Sequence, residues 1–123
     1  MIELDFFESS SKYGVVKATV HKTGKLGFSS GANKFMELDK IKYFNIGTNK
    51  NDKEDNNLYL VPIEKETDKS FKVVKAGDYY YITIKNILRD LKIDYKNETV
   101  IFDIDELEMK DNKIYKLNKR NRK

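Results

Sequence analysis

The chain has 123 residues, with 24 Lys and Arg, 20 Asp and Glu, and no cysteine. That length suits one domain able to bury a core without metal or disulfide staples, and the missing cysteine excludes disulfides, thiol catalysis and zinc–cysteine sites. The net charge of +4 gathers at one end: the segment 116–123, KLNKRNRK, holds Lys116, Lys119, Arg120, Arg122 and Lys123 with no acid, which leaves residues 1–115 at −1.

The N-terminal MIELDFFESS carries acids and no basic segment ahead of a long apolar run, so it does not read as a signal peptide. No stretch approaches the roughly 18 apolar residues of a membrane span. A cytoplasmic or phage-associated protein without membrane contact is expected. Residues 2–8, IELDFFE, read as an opening strand. An extended run from Lys17 then reaches a turn at Gly24, where freedom to take φ > 0 is useful, and a second extended run, KLGFS, follows. Ser30 is the expected helix N-cap, with Ala32, Phe35, Met36 and Leu38 giving a short apolar stripe. The segment IKYFNIG (41–47) reads as a strand and NKNDKEDNN (49–57) as an exposed hairpin loop. In the next strand, 57–63, Pro62 lacks a donor and belongs near an edge or an end.

Residues 70–76 and 78–83 read as strands about a turn at Gly77, with Thr83 as the next expected N-cap. The helix 84–92 carries Ile84, Ile87, Leu88 and Leu91 at i, i+3, i+4 and i+7. Strands over 99–105 and 113–117 close the order β-β-β-α-β-β-β-β-α-β-β. A shift of 53 residues lays 17–38 on 70–91, matching Val20 with Val73, Gly24 with Gly77 and Leu38 with Leu91. After a five-residue lengthening, Phe44 meets Phe102 and Ile46 meets Ile104. The expected architecture is one α+β domain over 1–117 with an internal duplication, about 17–47 and 70–105. Two strand–strand–helix–strand units would form antiparallel sheets with two short helices on one face, leaving 118–123 as a basic tail.

Enzyme signatures are weak. His21 is the one histidine and ends a strand beside a turn, where an imidazole is more often simply solvated. No serine or threonine has an evident base and orienting acid, and TGKLGFSSG lies in a hairpin, unlike a phosphate-binding loop between a strand and a long helix. Asp103, Asp105, Glu106 and Glu108 form an acidic run that lacks the glycine and glutamate spacing of a calcium loop and reads as a solvated strand end. No catalytic residue, metal or cofactor is therefore assigned.

The aromatic residues are more informative. Tyr79 and Tyr81 share one strand face while Tyr80 takes the other. Phenol rings on an exposed sheet face are platforms for unpaired bases, with lysines holding phosphates. Lys17, Lys22, Lys25, Lys72 and Lys75 lie on the same hairpins, and Tyr43 and Phe28 are further stacking candidates. Against this, tyrosines are good strand formers that fill cores with a wet tip. Lys119, Arg120 and Arg122 would give the tail electrostatic contact with a polyanion.

From the strand at 41–47 onward the order is four strands and a helix, preceded by three strands and a helix. This plan, close to a doubled ββββα and therefore (ββββα)2-like, resembles the Whirly and PUR single-stranded nucleic-acid-binding families, and GKLGFS (24–29) is similar to the Gly-basic-hydrophobic strand of such repeats. The resemblance implies curved antiparallel sheets presenting basic and aromatic residues to an unpaired strand. The functional expectation is a non-enzymatic single-stranded nucleic-acid-binding module, with protein partners or self-association. The alternative is a structural or assembly protein, such as an accessory subunit of a phage particle or other complex, using strand edges and aromatics as protein interfaces.

Overall fold

The computed structural model describes residues 2–5, 14–52, 55–109 and 112–120. In chain order these form β1 (Lys17–Val20), β2 (Lys25–Phe28), α1 (Ser30–Met36), a 3-10 turn (Leu38–Lys40), β3 (Tyr43–Gly47) and β4 (Leu58–Ile63). They continue as β5 (Ser70–Lys72), β6 (Val74–Ala76), β7 (Tyr79–Thr83), α2 (Lys85–Asp90), β8 (Val100–Met109) and β9 (Asn112–Lys119). Every strand pair is antiparallel, and the nine strands form one sheet in the order β5-β3-β4-β9-β8-β1-β2-β7-β6. The strands at the two ends of that order, β5 and β6, are separated in the chain by Val73 alone. The Val73 N–H donates to the Lys42 carbonyl at 2.9 Å, so the β3 ladder continues up to the bend. One bent strand thus joins both ends of the sheet, which becomes a nearly closed barrel with little free edge.

This corrects the expected α+β arrangement. The protein is predominantly antiparallel β, and the two halves do not build separate sheets. Around the ring, strands of the first half (β3, β4, then β1, β2) alternate in pairs with strands of the second (β9, β8, then β7, β6). Each helix follows the second arm of a hairpin and precedes two further strands, so the halves run ββαββ with β5 and β6 taken as one bent strand. The (ββββα)2 plan is therefore not the one adopted.

The cross-strand register follows the repeat in one place and slips in another. Ala18 pairs with Phe102 between β1 and β8, and their repeat mates Phe71 and Phe44 pair between β5 and β3. In β2 and β7 the alignment is off by one: it matches Phe28 with Tyr81, yet Phe28 is buried and Tyr81 opposes outward-facing Gly27. Ile82 takes the inward place. Because side chains alternate faces, a one-residue slip exchanges inside for outside.

Inward positions from every part of the ring meet in one core that includes Leu26, Phe44, Leu60, Ile82, Phe102 and Leu117, all essentially inaccessible. Each such side chain contributes about 1.5–3 kcal/mol by its burial. The helices enter the same core through Ala32 and Met36 of α1 and Leu88 of α2. Phe35 meets the Tyr115 ring edge-on at 6.2 Å, and the Tyr115 hydroxyl donates to the Met36 carbonyl at 3.4 Å. Both helices pack on the inner side, so no helix among the described residues covers the outer face of the barrel.

Local signals fared unevenly. Gly24 (φ +88°) and Gly77 (φ +64°) occupy the hairpin turns as expected. The cap of α1 is Ser29, not Ser30: its hydroxyl accepts from the Ala32 N–H at 3.1 Å and donates to the Val15 carbonyl at 2.6 Å. Thr83 ends β7, and α2 begins at Lys85 with Ile84 at the cap position, where no side chain caps it. That helix stops at Asp90, so Leu91, expected in the apolar stripe, is exposed. Pro62 is the penultimate residue of β4, beyond the Leu58–Leu60 stretch that pairs with β9. Residues 2–5 form no strand and expose Ile2 and Leu4, while 6–8 lie outside the described residues. Asn118 and Lys119, assigned to the tail, are strand residues, and the Arg120 N–H bonds the Ile101 carbonyl at 2.9 Å. Among the described residues no helix is long and apolar enough to cross a membrane.

Candidate nucleic-acid interface

The β2–β7 pair presents Lys25, Gly27, Tyr79 and Tyr81 outward, because their neighbours Leu26, Phe28 and Ile82 point into the core. Gly27 decides the local arrangement. A Cβ at this position would collide with the Tyr79 phenol and the His21 imidazole. The bare backbone lets Tyr79 lie across β2, where its hydroxyl hydrogen-bonds His21 Nε2 and the two rings meet edge-on at 5.9 Å. Tyr81 stands beside Tyr79 with centroids 6.0 Å apart and planes inclined by 31°. Lys25 Nζ lies 4.6 Å from the Tyr81 centroid, within cation–π range. Partial burial, and then the neighbouring Tyr81, hold the Tyr79 phenol above its ordinary pKa, so it stays a neutral hydrogen-bonding group at physiological pH.

The other basic residues singled out from the sequence divide between two sides of the ring. Lys72 lies opposite Tyr43 across β5 and β3, and Lys75 Nζ is 6.0 Å from the Tyr80 ring; both lysines are exposed. Lys22 is exposed in the β1–β2 turn. On the β1–β8 flank, Lys17 lies opposite Asp103. Arg120 grips the same carboxylate through Nε at 2.9 Å and Nη2 at 2.7 Å. Those bonds hold the Asp103 carboxyl below its usual range and raise Arg120. Arg120 is therefore engaged by an internal acid, unlike the free arm expected of it. Lys119 is half-buried, with its backbone N–H donating to Asn57 Oδ1 at 3.1 Å. Arg122 lies outside the described residues. Phe28 is a core residue and cannot stack on a ligand.

The acids have a simple distribution. Among the described residues, every Asp and Glu within a strand is on β8. There Asp105 accepts from Asn118 at 2.8 Å and Glu106 pairs with Lys113 at 3.4 Å, alongside the Asp103–Arg120 pair. Among the described residues no group of three or more His, Asp or Glu is placed to hold a metal ion. A cavity of about 730 Å³ opens between the β3–β4 loop and residues 91–98. Asp52, Asp55, Asp94 and Glu98 line it together with Lys50, Lys92 and Lys119, so its charge is mixed.

Three groups escaped the sequence reading. Gly27 interrupts a strand pattern, a recognised sign of close approach. His21, expected to be a simply solvated turn residue, holds the Tyr79 hydroxyl instead. Tyr59, on β4, has Lys116 Nζ 6.0 Å from its ring, and its hydroxyl donates to Asp55 at 2.7 Å. That bond is the main cause of both the lowered Asp55 and the raised Tyr59 pKa. Comparison with known protein families, curated proteins and solved structures finds no match.

Proposed function

We propose that this domain is a non-enzymatic module that binds single-stranded nucleic acid on the outer face of the β2–β7 pair. The observation that supports this reading is the adjacency of Tyr79, Tyr81 and Lys25 on a sheet face not covered by helices. Aromatic rings offer stacking area to any base, and the lysine moves from ring to phosphate at little cost. The half-buried Tyr81 and the His21-held Tyr79 are partly ordered before binding, which lowers the entropic cost of recognition.

The test is fluorescence anisotropy with a labelled oligothymidylate at two salt concentrations. Stacking is worth about 1–3 kcal/mol per base, so Tyr79→Ala or Tyr81→Ala should each weaken binding by roughly 5- to 150-fold, while added salt weakens all variants. A double variant that binds as tightly as the unaltered protein would sink the proposal.

A second reading, assembly through protein contacts, draws on the exposed Ile2, Leu4 and Met109. A stable oligomer by light scattering, with no oligonucleotide affinity, would favour it.

A further inference from the structure

Charge is unevenly distributed around the barrel, and that asymmetry selects a path for a bound strand. On the premise that the β2–β7 face binds single-stranded nucleic acid, we infer that the strand leaves this platform over β6 and β5 and continues onto β3 and β4. Tyr43 and Tyr59 are then further stacking groups, and Lys72 and Lys116 are phosphate contacts.

Two routes lead around the ring from β7 and β2 to β4 and β9. One crosses β1 and β8, and the other crosses the bent β5–β6 strand and β3. The first meets every strand acid in the described structure. Arg120 is already bidentate on Asp103 there, and Lys17 stands in register opposite the same residue. A phosphate on that route would face Asp105, which is held by the neutral Asn118, and would compete with Asp103 for its cations.

Among the described residues the second route has no strand acid of its own, and Asp55 on the Tyr59 hydroxyl and Asp105 opposite Lys116 stand at its far end. Outward positions alternate with the buried Phe44, Leu58 and Leu60, so Tyr43 and Tyr59 face solvent, and each has a lysine across the strand pair: Lys72 opposite Tyr43 and Lys116 opposite Tyr59. Lys116, in register between Tyr59 and Asp105, marks the far end of the path. The Tyr59–Asp55 hydrogen bond fixes the tilt of that ring. With adjacent strands about 4.8 Å apart, the three steps from β7 to β4 span roughly 15 Å. A ligand reaching both ends falls within the ~4–16 nucleotides that small sheet domains occlude.

The experiment compares labelled oligothymidylates of about five and about fifteen nucleotides, lengths chosen from that range of site sizes. It uses the full chain and the variants Tyr79→Ala, Tyr43→Ala, Lys72→Ala, Lys116→Ala and Lys17→Ala, each checked for folding by circular dichroism. Tyr79→Ala should weaken both ligands. Tyr43→Ala, Lys72→Ala and Lys116→Ala should each weaken the longer ligand about 5-fold or more and leave the shorter unchanged, whereas Lys17→Ala should change neither by more than about 2-fold. If the shorter ligand depends on Tyr79 but the longer one ignores Tyr43, Lys72 and Lys116, or responds equally to Lys17→Ala, the route is wrong and the platform stands. If neither ligand binds, both ideas fall.

Discussion

The β2–β7 and β4–β9 pairs lie on opposite sides of the ring, and each places a tyrosine beside a lysine on the outer face. The two tyrosines behave differently because of what stands next to them. At β2–β7 the strand position opposite Tyr81 is Gly27, so Tyr79 lies over bare backbone and its hydroxyl meets His21. At β4–β9 the position opposite Tyr59 is Lys116, which leaves no gap, and the Tyr59 hydroxyl turns to Asp55 in the β3–β4 loop. One glycine separates a side-by-side aromatic platform from a single ring tied to a loop. Very little sequence separates the two arrangements.

Beneath those outer faces the two pairs should be equally indispensable. Leu26 opposes Ile82 in one, and Leu60 opposes Tyr115 in the other, with both leucines fully buried. Leu26→Ala and Leu60→Ala should each destabilise by about 2–5 kcal/mol, read from urea midpoints. A loss under about 1 kcal/mol at either position would mean that this side of the barrel is not closed by tight packing, and the symmetry of the comparison would break.

The inner faces also differ in titration. Burial pushes the Tyr115 hydroxyl up to about 12, with Glu106 and Glu37 adding to the effect. In the unfolded chain the same group ionises near 10. A folded pKa above the unfolded one means that stability is fully present below about pH 10 and declines between about pH 10 and 12, as the unfolded state releases its proton first. In the β2–β7 pair the opposed inward residues Leu26 and Ile82 are both aliphatic. Tyr115→Phe loses one long hydrogen bond to the Met36 carbonyl, so it should cost under about 1 kcal/mol at pH 7. It should flatten the alkaline decline, leaving the smaller slope from Tyr59 and Tyr79, whose pKa values are also raised. Urea midpoints from pH 8 to about 11.5 check this, and a variant that tracks the unaltered protein throughout would contradict it.

What could be read from the sequence was local. The Gly24 and Gly77 turns, the β3–β4 loop and the placement of Pro62 each depend on a few adjacent residues, and each appears where expected. That Tyr79 and Tyr81 share a face follows from strand alternation alone. Fold class was misread because two short helices with clear periodicity drew more weight than they occupy, and because closure depends on pairings between distant strands. Nothing near Val73 announces that β5 and β6 are one bent strand joining the ends of a sheet. Alternation also fails to say which face is inside, and a one-residue error in aligning β2 with β7 put Phe28 among the stacking candidates. The pairing of Arg120 with Asp103 was hidden for the same reason: the two are neighbours only once β8 and β9 are in register.

The smallest expected effect on stability is the sharpest test of the comparison. Gly27→Ala puts a methyl where the Tyr79 phenol and the His21 imidazole now lie. Both obstacles are the ends of side chains at the surface, so they can swing away without moving the backbone. Alanine also restricts the unfolded chain, which stabilises by about 0.4–1 kcal/mol and offsets the lost contact. Net stability should therefore change by less than about 1 kcal/mol. The platform should nevertheless open: with Tyr79 displaced, its hydrogen bond to His21 breaks and the ring no longer lies beside Tyr81. The His21 ring resonances in an NMR spectrum should shift toward those of a Tyr79→Phe variant, and affinity for a short oligothymidylate should fall toward that of Tyr79→Ala. Unshifted His21 resonances in Gly27→Ala would show that the glycine does not set the ring's position, and the difference between the two pairs would then need another cause. Shifted resonances with unchanged affinity would separate the geometry from the function, leaving Gly27 as the reason for the platform but the platform without a ligand.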